Sequence, residues 1–172
     1  MDNSFEQCVR KQDYTKETKR FRLYTVLMVL AAIGTLAGVL ITLWGDYALG
    51  IALAVSWLLV TFCFFKLRDD AIIEYDYEFV DGYITISKIC HGSKRKNVVS
   101  ISIEKVLQIR PITIKEVENL SDGKVMVCFL NSDANLYVIN GTYKGNKVNI
   151  IWEPKQALLK LIRSERINLV VL

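Results

Sequence analysis

The sequence predicts a two-helix transmembrane hairpin followed by an α+β domain, mainly antiparallel β-strand, that ends in one helix. Three observations lead there. Residues 23–65 form two long uncharged runs, broken only around Asp46. From Ile73 onward, apolar and polar residues alternate with the period of a strand. Near the C-terminus the apolar spacing lengthens to that of a helix. Composition agrees. A mean hydropathy of +0.26 and 52% hydrophobic residues are too high, and a net charge of +4 too small, for a disordered chain. Two prolines and nine glycines exclude a collagen-like or linker-like one.

Leu23–Trp44 is 22 residues without charge, and Tyr47–Phe65 is 19. As helices they measure roughly 33 and 28 Å, close to a hydrocarbon core of about 30 Å. The first holds 11 Leu, Val or Ile residues and the second 10 Leu, Ile, Val or Phe. At about −0.3 to −0.6 kcal/mol each near the bilayer centre, either run favours insertion. Only Gly45-Asp46 separates them. A tight hairpin puts Asp46 at the far interface, with Trp44 and Tyr47 at headgroup depth. The length of the first run and the immediate second span argue against a cleaved signal peptide.

Charge orients the hairpin. Arg10, Lys11, Lys16, Lys19, Arg20 and Arg22 precede it, Lys66 and Arg68 follow it, and the turn holds only an acid. The positive-inside rule makes both termini cytoplasmic, in a multi-pass protein of the cell membrane. The expected domains are a basic N-terminal segment, 1–22, the hairpin, 23–65, with helices at 23–44 and 47–65, and a cytoplasmic domain, 66–172. Their net charges are +2, −1 and +3, which make up the +4 of the chain. Gly34 and Gly38 form a GxxxG in the first span, and Gly50 and Ala54 a small-xxx-small pair in the second. Such residues let helix backbones approach, either within the hairpin or in a homo-oligomer or docking face. Neither span contains an ionisable residue, so an ion pathway through this chain alone is not expected.

In the cytoplasmic part, Ile73, Tyr75, Tyr77 and Phe79 share one strand face, and Glu74, Asp76 and Glu78 the other. Asp81-Gly82 predicts a two-residue hairpin turn that sets Phe79 against Ile84, Tyr77 against Ile86 and Tyr75 against Lys88. A loop from His91 to Lys96 leads to a strand at Val98–Ile103 with Val99, Ile101 and Ile103 inward. The stretch from Pro111 to Lys124 is polar and unassigned. Strands return at Val125–Leu130, Leu136–Tyr143 and Val148–Trp152. Glu153-Pro154 opens a helix, with proline in the first turn. Ala157, Leu158, Leu161 and Ile162 form its apolar stripe. Ile167–Leu172 reads as an extended tail docked on the domain. Six or seven antiparallel strands closed by a helix follow the element order of a pleckstrin-homology-like (PH-like) barrel.

Four short stretches carry a resemblance over nearly the whole chain. They are Phe5-Glu6-Gln7, Tyr75-Asp76-Tyr77-Glu78 leading into Asp81-Gly82-Tyr83-Ile84, Lys94-Arg95-Lys96, and Trp152-Glu153-Pro154. The chain resembles a family of small bacterial membrane proteins that pair a two-helix hairpin with a cytoplasmic PH-like domain. Glu116–Lys124 and Ile167–Leu172 depart from that pattern. The resemblance implies an architecture and no catalytic role.

Candidate sites are few. Lys94, Arg95 and Lys96, with Lys88 on the preceding strand, form a basic group that reads as a solubilising hairpin tip or as a contact for anionic lipid or an acidic partner. The run is short and lacks interleaved aromatics, so no nucleic-acid site is expected. The row Glu74, Asp76 and Glu78 reads as a solvated face, because a flat strand does not wrap a cation. Cys8, Cys63, Cys90 and Cys128 make no CxxC, and in a reducing compartment disulfides are not expected. Cys90 and His91, the only histidine, point to opposite faces of a strand, so no metal site is expected. No nucleophile, phosphate-loop or zinc-protease motif is present, so neither a catalytic residue nor a cofactor is expected. The leading expectation is a non-enzymatic membrane protein whose PH-like domain binds another protein. The alternatives are an anionic-lipid sensor and an accessory subunit of a transporter or envelope complex.

Overall fold

A computed structural model describes residues 4–90, 94–120 and 122–170. The chain divides into two compact units, residues 13–73 and residues 1–12 with 74–172.

The first unit is a helical hairpin of α1 (Thr15–Trp44) and α2 (Tyr47–Asp69). Both helices are long and apolar enough to cross a membrane. They run past the uncharged stretches because Lys, Arg and Glu are good helix formers, so the charged flanks continue the helix. The Asp46 side chain caps α2 by accepting from the Leu49 backbone N–H at 3.1 Å. Inside the apolar runs, the hydroxyls of Thr25, Thr35, Thr42, Ser56 and Thr61 each donate to the carbonyl four residues back. Their polar groups therefore need no water.

Small residues set the helix–helix approach. A Cβ on Gly34 would lie 2.6 Å from the Trp57 ring, and one on Gly38 would lie 2.6 Å from the Ala54 backbone nitrogen. One on Gly50 would overlap the Thr42 backbone. Gly34, Gly38, Gly50 and Ala54 are thus used within the hairpin, α1 against α2. Most of the large apolar side chains of both helices stay exposed, as a lipid-facing surface requires. Trp44 and Tyr47 flank the turn and are exposed.

The second unit holds two four-stranded sheets and a C-terminal helix. The first sheet runs β1 (Phe5–Val9), β2 (Ile73–Val80), β3 (Tyr83–Cys90), β4 (Lys94–Ser102) in that spatial order. The second contains β5 (Val106–Pro111), β6 (Lys124–Val127), β7 (Tyr137–Tyr143) and β8 (Asn146–Trp152), in the order β5-β7-β8-β6. Asp81 and Gly82 have φ of 49° and 74°, the left-handed pair that a tight two-residue hairpin turn needs. Alternation then sends Tyr77, Phe79, Ile84, Ile86, Val99 and Ile101 inward, where all are buried. Val106, Ile109, Ile139, Val148, Ile150 and Trp152 of the second sheet share this core.

Several elements differ from expectation. The segment 1–22 contains an edge strand, β1, whose Phe5 pairs with Phe79 and whose Val9 pairs with Tyr75. The basic run begins β4 instead of lying in a loop, because Lys94 already pairs with Cys90. His91 lies outside the described residues. A separate strand, β5, follows a short 3-10 turn at Ile103–Lys105. β6 pairs with β8 in parallel, so the strands are not all antiparallel. The polar stretch after Pro111 forms a one-turn helix, α3 (Ile114–Val117), with a Thr113–Glu116 capping box. Val117 and Leu120 from that stretch pack on a second small core of Ile112, Leu136, Val138 and Ile151.

The last helix, α4 (Gln156–Glu165), starts two residues after Pro154. Its buried side chains are Leu158, Leu159 and Ile162, whereas Ala157 is exposed. The larger Leu159 takes the inward position. Leu169 and Val170 are buried, and the Ile109 backbone N–H donates to the Leu169 carbonyl at 2.7 Å. The tail thereby docks along β5.

Substituting Gly38 by Ile forces a branched side chain into the Ala54 backbone. It should destabilise the full chain in detergent by about 1–3 kcal/mol, read as a lowered thermal midpoint. Leu40→Ile, at an exposed helix position, should leave the midpoint unchanged.

Candidate functional site

The basic residues at the end of the β3–β4 pair do not act as one group. The register sets Lys88 opposite Lys96, Ile89 opposite Arg95 and Cys90 opposite Lys94. Side chains alternate along a strand, so Lys88, Lys94 and Lys96 share one face and Arg95 takes the other.

On that other face, Arg95 meets three carboxylates. Its guanidinium lies 2.7 Å from Asp76, 3.2 Å from Glu78 and 3.9 Å from Glu6. Glu6 comes from β1, directly opposite Glu78. Asp76 is only 3% exposed, which corrects the expectation of a fully solvated acidic row. Its Oδ2 takes the guanidinium, and its Oδ1 has no hydrogen-bond partner among the described residues. Burial raises the Asp76 pKa above the usual aspartate range. Arg95 opposes that shift, and Glu6 and Glu78 add to it. The third acid, Glu74, pairs with Arg10 at 3.1 Å and accepts from the Cys8 thiol at 3.5 Å. Partial burial and then Glu74 push the Cys8 thiol up, away from the thiolate form that reactivity requires.

A second polar cluster fastens β1 from the other side of the strand. The Gln7 side chain is buried. Its Nε2 donates to the Glu153 carbonyl at 3.2 Å, and its Oε1 accepts from the Lys155 backbone N–H at 2.7 Å. The buried Glu153 carboxylate accepts from the Leu130 backbone N–H at 2.8 Å and the Asn131 side chain at 3.0 Å. Asn131 also donates to the Arg10 carbonyl at 3.0 Å, and its Oδ1 accepts from the Gln12 backbone N–H at 2.9 Å. Tyr77 donates its hydroxyl to the Cys128 carbonyl and packs edge-on against Trp152 at 5.4 Å. Gln7, Glu153, Asn131 and Tyr77 each have partners, whereas the buried Trp152 Nε1 has no hydrogen-bond partner among the described residues.

Local pattern does not reveal this cluster. Gln7 and Glu153 stand 146 positions apart. The available signal was Glu153 itself, an acid between a core tryptophan and a proline, whose charge needs fixed donors if it is buried.

No disulfide joins the four cysteines. Cys128 is buried and its thiol is pushed up to about 12 by that burial; Cys90 is half-buried. Among the described residues, no three His, Cys, Asp or Glu side chains are placed to hold a metal ion. An open cleft of about 760 Å³ lies between residues 111–116 and 132–137, with Ile112 and Leu136 among its lining residues.

A family model described as "Bacterial PH-like domain (DUF6106)" matches residues 1–171. No curated protein and no solved structure matches the chain.

Two outcomes follow from the clusters. Because Asp76 has a raised native pKa, its protonated form favours the folded state. That stability is present below the ordinary aspartate range and is lost as pH rises through the native value. Asp76→Asn should remove this part of the pH dependence, seen by comparing thermal midpoints of variant and wild type across mildly acid to neutral pH. Asn131→Ala leaves Glu153 short of a donor. It should cost about 1–3 kcal/mol and speed amide exchange in residues 5–9 more than in β7.

Proposed function

The chain belongs to the bacterial PH-like domain family, and on that premise we propose a non-enzymatic integral membrane protein whose domain binds another protein at the cytoplasmic face. The observation that carries this reading is the pairing of β1 with β2. In the chain, α1 and α2 lie between these two strands. Strands that exchange backbone hydrogen bonds cannot stand on opposite sides of a bilayer. The segment between them must therefore cross an even number of times, as two spanning helices do. Basic residues on the flanks and a lone acid at the turn support a cytoplasmic position for the shared side.

The protein-binding part rests on what the domain offers. β4 and β6 are edge strands of their sheets, whereas the tail lies along the edge strand β5. An open edge pairs readily with an extended segment of a partner. The non-enzymatic part is supported by how the buried polar side chains are used. Gln7, Asn131, Glu153 and Tyr77 bond to one another and to backbone groups, and Arg95 bonds to carboxylates.

Two measurements test the reading. A fluorescent protein that matures only in the cytoplasm should fluoresce at either terminus, and alkaline phosphatase inserted after Gly45 should be active. A dark terminus would overturn the topology. Crosslinking in native membranes should capture a discrete protein, and Val127→Pro on β6 should abolish the capture while Leu40→Ile, at an exposed helix position, leaves it intact. Recovery of the chain alone at native abundance would sink the binding function.

A further inference from the structure

We propose that Glu6 and Asp76 hold one proton between them, and that this proton latches the edge strand β1 onto β2.

The two carboxyl groups stand on neighbouring strands. In the β1–β2 ladder Cys8 is opposite Asp76 and Glu6 is opposite Glu78, so Glu6 and Asp76 are diagonal neighbours on one face. The Glu6 carboxyl comes within hydrogen-bond reach of the Asp76 carboxyl. Ionised carboxylates only accept, so a bond between the two requires a proton on one of them. Asp76 has an oxygen that lacks a donor. Its Oδ2 takes the Arg95 guanidinium, whereas Oδ1 is buried and has no partner among the described residues. Glu6 is exposed and Asp76 is buried, so the pair joins water to the buried group.

Charge favours the proton. Glu6, Asp76 and Glu78 surround one guanidinium, which leaves two negative charges uncompensated. Glu6 and Glu78 are also directly opposed, and like charges so placed destabilise a strand pair. The remaining charges of these strands are placed elsewhere. Glu74 of β2 is paired with Arg10, just after β1, and accepts from the Cys8 thiol. The charged residue of β3, Lys88, lies on the opposite face, as do Lys94 and Lys96 of β4. Carboxylates this close share a proton because both cannot ionise cheaply, and burial of Asp76 acts in the same direction.

β1 is the element that such a proton controls. It is five residues long and lies at the sheet edge. On its other face, Gln7 bonds to the Glu153 carbonyl and the Lys155 backbone N–H, which do not titrate. With the proton bound, the outer-face contact is a hydrogen bond. Without it, two carboxylates repel. The attachment therefore weakens as pH rises through the titration of the pair. Release of β1 bares the backbone edge of β2 in its place.

The test is hydrogen–deuterium exchange of the full chain in detergent between about pH 5 and about pH 8, corrected for the intrinsic pH dependence of amide exchange. Protection in residues 5–9 should fall by up to about tenfold per pH unit, the limit for one proton, while β7 keeps its protection. Glu6→Gln gives Asp76 a permanent N–H donor, so protection in residues 5–9 should vary by less than about twofold over the same range. Glu78→Gln leaves the pair in place and should keep the fall. In carboxyl carbon NMR of the wild type, Glu6 and Asp76 should move together through one step. Protection in the wild type that ignores pH, or an unchanged fall in Glu6→Gln, would overturn the proposal. Equal loss in β7 would also overturn it, because the proton would then govern global unfolding and not β1. Separate titration steps for Glu6 and Asp76 would sink the shared proton even where Glu6→Gln fails to fold.

Discussion

Backbone pairing between β1 and β2 is the constraint on which the rest depends. It joins two strands separated in the chain by the whole helical hairpin. Closing so long a flexible loop would carry a large entropic cost. The hairpin removes most of it, because α1 and α2 pack antiparallel and return the chain close to where it left. Glycines at the helix interface make that return tight. The strand pair is thus closed through a packed helix pair instead of a flexible loop.

Because β1 is short and lies at a sheet edge, five ladder positions alone would hold it weakly. Two polar clusters, one on each face, reinforce it. On the core side, Gln7 and the carbonyl of Arg10 tie into Glu153, Lys155 and Asn131. On the outer side, Glu6 joins the carboxylates around Arg95. The first cluster is neutral apart from Glu153 and is fully paired there. The second sets three acids against one guanidinium and leaves one buried oxygen of Asp76 without a partner among the described residues. Coulomb attraction from Arg95 does not fully offset burial, which is why the Asp76 pKa rises.

The same geometry redistributes the basic charge. A run of three adjacent cations looks like one patch in a linear sequence. On a strand it splits between faces, and the member best able to make planar bidentate contacts, Arg95, goes to carboxylates. The lysines are left on the opposite strand face, away from the carboxylates that hold Arg95.

The sequence by itself determined what depends on local period and charge. Two uncharged runs long enough for a bilayer, the Asp81-Gly82 turn, the alternation from Ile73 to Ile86 and the amphipathic last helix are all written in consecutive residues. So was the PH-like element order, and the family match agrees with it. Only the tertiary structure decided which distant segments meet. It paired β1 with β2, laid β6 parallel to β8, docked Leu169 on β5 and buried Asp76 beside Arg95. The physical reason is that strand neighbours are chosen by long-range burial and by the need to satisfy backbone edges. Those terms leave no periodic trace in the strand that is chosen. Phe5–Val9 is too short to announce itself, and becomes a strand because the hairpin delivers a partner to it.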